Sequence, residues 1–284
     1  MSQNFKSFAR YLSLLTFIFL SFPVFTKAVV TVDNSASFGE FNLVPPVPHT
    51  IMWQHTIGTG ISRALIVTVS RHNTTVPLGT GFQTQNVTFT DSLNNTTSLT
   101  SFSQFFPTNT PDGKSSVQVF YLLNPTSGTG TVNVTLDPLS EYAFGSSVSF
   151  LGVNPTNSFG SYSTNSNSGP TSSITLSDPV TGDLVIDVLA APFNSGPFAV
   201  GVGQTVCYPD DTVETNCLRG RRFWGNISDV GASSTKPANS LVNMSWTLTN
   251  YVGGDWIMGA VAVKALPTTA ALGTVSGRVL NFNG

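Results

Sequence analysis

Charge is what this sequence has least of. Only 9% of its 284 residues are Asp, Glu, Lys or Arg, well under the usual quarter. Fourteen acidic residues stand against 12 basic ones, a formal net charge of −2, and that balance argues against nucleic acid or an anionic membrane as a main partner. Histidine is nearly absent, with His49, His55 and His72 alone. No two of them have metal-ligand spacing beside a Cys or a carboxylate, so zinc has no motif here. A Gly-x-Ser-x-Gly turn is missing, and no other pattern marks a nucleophile. Long apolar runs are missing beyond residue 28, so the sequence predicts no transmembrane segment in the mature chain. Nothing in the pattern implies a cofactor.

The N-terminus is the exception. Lys6 and Arg10 precede an apolar stretch from Leu12 to Phe25, and Thr26-Lys27-Ala28 ends in a small residue. This is the layout of a signal peptide over residues 1–28, with cleavage before Val29, and it predicts a secreted or cell-surface protein. Those 28 residues hold three basic and no acidic residues, so nine basic against fourteen acidic remain, a net −5. Two cysteines, Cys207 and Cys217, bracket a short acidic stretch. In an oxidising compartment they read as one local disulfide that shapes a loop.

What the chain has in quantity is Ser, Thr, Asn, Gly and aromatic residues, including 21 Phe. That is a core-forming composition rather than a disordered one. Apolar residues recur with period two, as in Leu65-x-Val67-x-Val69, Val132-x-Val134-x-Leu136 and Val242-x-Met244-x-Trp246-x-Leu248. Each run predicts a strand with one dry face. Pro and Gly punctuate between runs, at Asn124-Pro125, Asp178-Pro179 and Thr181-Gly182. The expected class is all-β, with antiparallel sheets packed as sandwiches of jelly-roll type.

Three echoes point to a duplication. Ser37-Phe38-Gly39 returns as Ser158-Phe159-Gly160, Ala64-Leu65-Ile66-Val67 in outline as Asp183-Leu184-Val185-Ile186, and Val132-Asn133-Val134-Thr135 as Val242-Asn243-Met244-Ser245. The order is kept, and the spacing is about one small domain. The implied organisation is a first β-sandwich unit over residues 29–153 and a second over 154–266, either packed as two cores or fused into one larger sandwich. Each unit is long enough to close a core alone. The Ser/Asn-rich stretch from Ser161 to Pro170 and the Pro-rich stretch from Val44 to Pro48 read as the same surface loop in two copies. Residues 267–284 read as a linker followed by the start of a further, truncated domain.

Candidate chemistry concentrates after Cys207. Tyr208, Arg219, Arg221, Arg222 and Trp224 are the contact residues expected to meet a sugar or a partner protein. Asp210, Asp211 and Glu214 form a weak calcium candidate, since hard cations take clustered oxygens, but their spacing lacks the alternation of a calcium loop. Internal ion pairing between the acidic loop and the basic strand after it is the plainer alternative. A glycosidase needs two opposed carboxyls, and the chain beyond residue 28 offers Glu40, Glu141 and Glu214. Asp183 and Asp187 share one face of a strand, where Asp187 must face solvent or find a buried partner. The histidines read as surface or strand-end residues.

Two resemblances add to this. Residues 274–284, through Val275-Ser276-Gly277-Arg278-Val279 and the terminal Asn-Gly, resemble the opening strand of carboxypeptidase-regulatory-like domains, which are transthyretin-like sandwiches of modular bacterial surface proteins. The repeated unit, through Gly182-Asp183-Leu184-Val185 and Trp246 and Trp256, is similar to bacterial and phage β-sandwich modules. These likenesses imply a non-catalytic extracellular module for adhesion, for binding carbohydrate or another surface protein, or for structural spacing. The alternative is a carbohydrate-active enzyme or its accessory binding domain.

Overall fold

The alternating runs become strands, and no helix interrupts them among the described residues. The computed structural model describes residues 28–41, 49–74, 84, 86–102, 108–136, 141–192, 195, 198–206 and 231–267. The unit that holds the fold is Val29–Leu266.

Its first half runs through β1 (Thr31–Phe41), β2 (His49–Ile57), β3 (Ala64–His72), β4 (Asn86–Thr90) and β5 (Thr96–Ser98). It continues through β6 (Thr100–Ser101), β7 (Thr108–Asn109), β8 (Ser115–Leu123), β9 (Gly128–Leu136) and β10 (Tyr142–Leu151). The second half comprises β11 (Phe159–Ser168), β12 (Thr171–Leu176), β13 (Leu184–Ala190) and β14 (Phe198–Val200). It ends with β15 (Thr205–Val206), β16 (Gly231–Pro237), β17 (Val242–Leu248) and β18 (Asp255–Val263).

The two halves have one topology. The first pairs β1-β10-β3-β8-β6 in one sheet and β2-β9-β4-β5 in another; the second pairs β11-β18-β13-β16-β15 and β12-β17-β14. All these pairings are antiparallel. In the first half the eight main strands follow the double Greek-key order of a jelly roll. Even a bulge is kept: register shifts between Val32 and Asn34 in β1, and between Phe159 and Tyr162 in β11.

Four layers result. One apolar cluster joins β2, β4 and β9 to β3 and β8. A second joins β12, β14 and β17 to β13, β16 and β18. The third lies between the halves, where Ala64, Ile66, Val117, Val119, Val148 and Phe150 meet Leu184, Ile186, Val188, Ile257, Val261 and Val263. The two inner sheets are therefore covered on both faces, and the halves share a core along this seam. That explains the burial strings. Outer β2, β9, β12 and β17 alternate buried with exposed or half-buried residues, whereas β3, β13 and all but the first residue of β18 are buried throughout. Sheets with two dry faces read as continuous apolar runs.

The seam is symmetric. Strand β10 meets β16 as β18 meets β8, β3 meets β16 as β13 meets β8, and β3 meets β13. Exchanging the halves maps these contacts onto themselves, as a pseudo-twofold axis between β3 and β13 would.

The structure corrects three details of the sequence reading. Ala64, opposite Phe150 and Leu123, corresponds to Leu184, opposite Val263 and Pro237, and not to Asp183. The slip is one residue, which in a strand moves a side chain to the other face. The Ser-Phe-Gly echo lands on equivalent strands but out of register: Phe38 lies opposite Gly145 near the end of β1, Phe159 opposite Val263 at the start of β11. Residues 161–168 are not a loop matching Val44–Pro48; they form most of β11, an edge strand on β18. An edge strand is held by backbone hydrogen bonds to one neighbour, so Ser, Thr and Asn suffice there.

Candidate functional site

Polar groups inside a sandwich must find partners, and three such groups stand out. The first surrounds His55, which β2 carries in the inward phase with Ile51, Trp53 and Ile57. Trp53 Nε1 donates to Ser147 Oγ at 2.7 Å, and Ser147 Oγ lies 2.8 Å from His55 Nδ1. Asp33 projects from the β1 bulge, and its Oδ2 accepts from Gly58 N at 2.6 Å and Ser149 Oγ at 2.8 Å. Gly58 is required here, because an added Cβ would run into the Asp33 carboxylate. Burial lowers the His55 pKa to about 4, against the weaker opposing pull of Asp33. The other ring nitrogen of His55, Nε2, is buried with no hydrogen-bond partner.

Serine, histidine and aspartate thus gather where no sequence motif marked them. The arrangement is not that of a hydrolase. Ser147 is fully buried, its oxygen is already engaged by Trp53, and the carboxylate is spent on Gly58 and Ser149 rather than on the imidazole.

The second group caps β3. His72 Nδ1 lies 2.8 Å from Ser115 Oγ, and its pKa is lowered to about 4, chiefly by burial, with Asp112 and Glu141 opposing. Glu141 Oε2 accepts from Thr74 N at 2.8 Å and Thr74 Oγ1 at 2.6 Å. His72 ends β3, in keeping with its strand-end reading, and both it and His55 are buried rather than on the surface. A neutral imidazole with a serine partner is an acceptable core group.

The third group is Asp187 on β13. It shares its face with Val185 and Leu189 and points at the outer sheet. Ser234 donates to Oδ1 from N at 2.6 Å and from Oγ at 2.9 Å, and Trp246 Nε1 donates to Oδ2 at 2.9 Å. Gln204 Nε2 adds 3.3 Å to Oδ2 and 2.8 Å to Ser234 Oγ. Burial nevertheless pushes the carboxyl up to about 7. Of the two alternatives the sequence left for Asp187, solvent or a buried partner, the structure shows the second, and Trp246, placed in the core by its phase, is one such partner. Asp183, three residues from Val180, instead pins the lower turn: Val180 N and Ala265 N donate to its two oxygens at 3.0 and 2.9 Å.

Among the described residues, recesses also open to solvent. One, about 300 Å³, lies at the seam between β1 and β10 on one side and β13, β15 and β16 on the other. Another, about 210 Å³, lies between the turn Asp91–Asn95 and the connection Leu122–Thr126. Hydrogen bonds from Asn95 and Leu93 hold the Asp91 carboxyl below its ordinary value.

Every contact residue read from the sequence, Tyr208, Arg219, Arg221, Arg222 and Trp224, lies outside the described residues. So do the calcium candidates Asp210, Asp211 and Glu214, the pair Cys207 and Cys217, the leader 1–27 and residues 274–284. Among the described residues no group of three or more His, Cys, Asp or Glu side chains is placed to hold a metal ion. The backbone of Glu40 lies opposite Ala143, one step from the Phe41–Tyr142 pair beside Glu141. Tyr162 is exposed on β11, and Tyr251 donates to Gly254 O at 2.7 Å.

The placement of the chain's connections is the clearest directional feature. At one end, Val30 N donates to Gly182 O at 2.8 Å and Leu266 N to Gly152 O at 2.9 Å. The Val29 carbonyl stands 2.7 Å from where a Cβ on Gly152 would be, at φ +75°. Both ends of the unit therefore meet at Gly152, the link between the halves. At the opposite end Asp112 N reaches Asp255 Oδ2 at 3.2 Å. The connections 42–48 and 137–140 leave strands β1 and β9 at that opposite end, and 207–230 follows Val206, opposite Ser234 in mid-sheet, and rejoins the sheet at that end at Gly231. No protein-family model matches the chain, and no curated protein matches it.

Proposed function

We propose that the chain is a non-catalytic secreted or cell-surface module that presents loops for adhesion, to carbohydrate or to another surface protein. The observation that supports this reading is the separation of ends: Val29 and Leu266 meet at Gly152, while connection 207–230, which includes Tyr208, the three arginines and Trp224, rejoins the sheet at the far end, at Gly231. A scaffold attached at one end and looped at the other suits display, because binding groups usually sit on loops held by a rigid frame. The buried histidines and Asp187 are engaged inside the layers, which supports a structural rather than a catalytic use for them.

The signal-like N-terminus supports export, and the likeness of residues 274–284 to a carboxypeptidase-regulatory-like strand supports a place in a modular bacterial surface protein. A spacer role needs the same scaffold without the loops. A glycosidase remains the second reading, favoured by one observation: Glu40 and Glu141 flank neighbouring positions at the far end of β1 and β10.

A polysaccharide panel, assayed for binding and for release of reducing ends, tests this. The expected result is binding without release, weakened at least tenfold by Tyr208→Ala or Trp224→Ala. Release of reducing ends that vanishes in Glu141→Gln would overturn it in favour of the enzyme.

A further inference from the structure

The pseudo-twofold gives the seam two equivalent mouths, and they are filled differently. At the first, three aromatic rings close the gap between the inner sheets. Phe102 follows β6, Tyr121 stands on β8 and Phe159 on β11, with centroids 4.6 to 4.8 Å apart. These rings pack onto the seam core in the tilted and edge-on geometries that aromatic clusters prefer.

Register identifies their counterparts at the second mouth. Tyr121 lies opposite Ile66 and Thr235 opposite Ile186, so Thr235 holds the place of Tyr121. Phe159 lies opposite Val263 and Val32 opposite Phe150, so Val32 holds the place of Phe159. Strand β6 corresponds to β15, with Thr100 opposite Tyr121 as Thr205 is opposite Thr235. Two rings are thus replaced by a threonine and a valine, and the space they would take is the recess of about 300 Å³ lined by Val32, Val148, Leu184, Val206, Thr235 and Pro237. Ser35 and Thr205 complete a wall whose exposed surface is mainly apolar, and Val32 stands 42% exposed at its rim.

From this we infer that the second mouth is a binding site for a small aromatic ligand, a one- or two-ring molecule with at most one hydrogen-bonding substituent. The first mouth shows which chemistry the surrounding surfaces accept, since the same frame there closes on three rings. Volume agrees: a cavity of about 150 Å³ lined by aliphatic residues suffices for benzene, and small-molecule pockets begin at about 300 Å³. The hydroxyl-bearing residues of the wall, Ser35, Thr205 and Thr235, suit a single polar substituent such as an indole N–H or a phenol O–H. This inference does not rest on the loop contacts proposed above and is tested independently of them.

The test is titration of the full chain with indole and with toluene, followed by ligand-observed NMR and calorimetry. Saturable one-to-one binding is expected, with negative heat-capacity change from apolar burial. Thr235→Tyr, which copies the filled mouth, should lower indole affinity at least tenfold while leaving the melting temperature equal or higher. Val32→Phe serves the same purpose should Thr235→Tyr fail to fold. Absence of saturable binding by the wild type would overturn the inference. So would unchanged affinity in a folded Thr235→Tyr, or a Thr235→Tyr that is folded but clearly less stable, which would mean the chain beyond Val206 already fills the recess.

Discussion

Trp246 donates its indole N–H to Asp187 at 2.9 Å in the middle of the second sandwich. The carboxyl is fully buried and its pKa is raised from 3.8 to about 7. A raised folded-state pKa means that the protonated form is favoured on folding. The stability it contributes is complete below about pH 4 and is lost as pH rises through 7. A shift of this size corresponds to about 4 kcal/mol at most. Trp246→Phe removes a donor that favours the carboxylate, so its cost should grow with pH. Urea unfolding at pH 5 and pH 8 is expected to show about 1 kcal/mol lost at the lower pH and about 3 kcal/mol at the higher, where the bond is charge-assisted. Equal losses at both would mean that Asp187 does not titrate in this range.

The histidines act with the opposite sign. His55 and His72 each fall from 6.5 to about 4 in the folded state, mainly through burial. Their contribution is complete above pH 6.5 and is lost as pH falls toward 4, each worth about 3 kcal/mol at full extent. Two histidines outweigh one aspartate between these values, so stability should climb from pH 4.5 to a maximum near 6.5 and then decline. His72→Asn should all but abolish the acid limb, because His55 alone then balances Asp187 between these values, as read from melting temperature against pH. An acid limb of unaltered slope would show that His72 is already protonated in the native state.

The alternation at Val132, Val134 and Leu136 was legible because an outer strand has one dry face. At β3 the same logic misleads. Leu65, Val67 and Val69 alternate with Ile66, Thr68 and Ser70, which reads as a half-exposed strand, yet all nine residues are buried. Thr68 and Ser70 are tolerated because Thr68 Oγ1 and Ser146 Oγ share a bond of 2.7 Å and Ser70 Oγ donates to Leu189 O at 2.6 Å. The partner of Ser70 is 119 residues away, and no local pattern announces it. The duplication was visible in composition, but its register was not, since a one-residue slip costs nothing in a string of letters and reverses a face in a sheet. Trp246 was placed in the core by phase alone. The gathering of Asp33, His55 and Ser147 was not foreseeable, because three strands and a bulge bring them together.

The shared seam decides whether a half can stand alone. Although each half is long enough for a core, separation would expose Ala64, Ile66, Val119 and Val148 on one side and Ile186, Val188 and Val261 on the other. An apolar face of that extent is a liability in water. Chains covering 29–153 or 154–266 alone are expected to aggregate or bind 8-anilinonaphthalene-1-sulfonate strongly, and mixing them should restore a folded complex. Two monomeric halves with dispersed amide spectra would show that the seam is dispensable.

Gly231 begins β16 and faces Ser70 and Phe144 across the seam. An added Cβ would stand 2.5 Å from Ser70 Cβ and 3.1 Å from Phe144 Cβ, across the seam. Such crowding in a packed interior costs about 1–3 kcal/mol. Gly231→Ala should therefore destabilise the chain by that amount, even though alanine is better suited to a strand than glycine. Ser70→Gly removes the nearest obstacle and also the bond to Leu189 O, so by itself it should cost about 1 kcal/mol or more. In combination the two should be less than additive, with a coupling of about 1 kcal/mol, because the second change makes room for the first. Chemical denaturation of the four proteins in this cycle measures the coupling directly. Strict additivity would mean that Gly231 and Ser70 do not touch, and with them the close approach of the two halves would have to be given up.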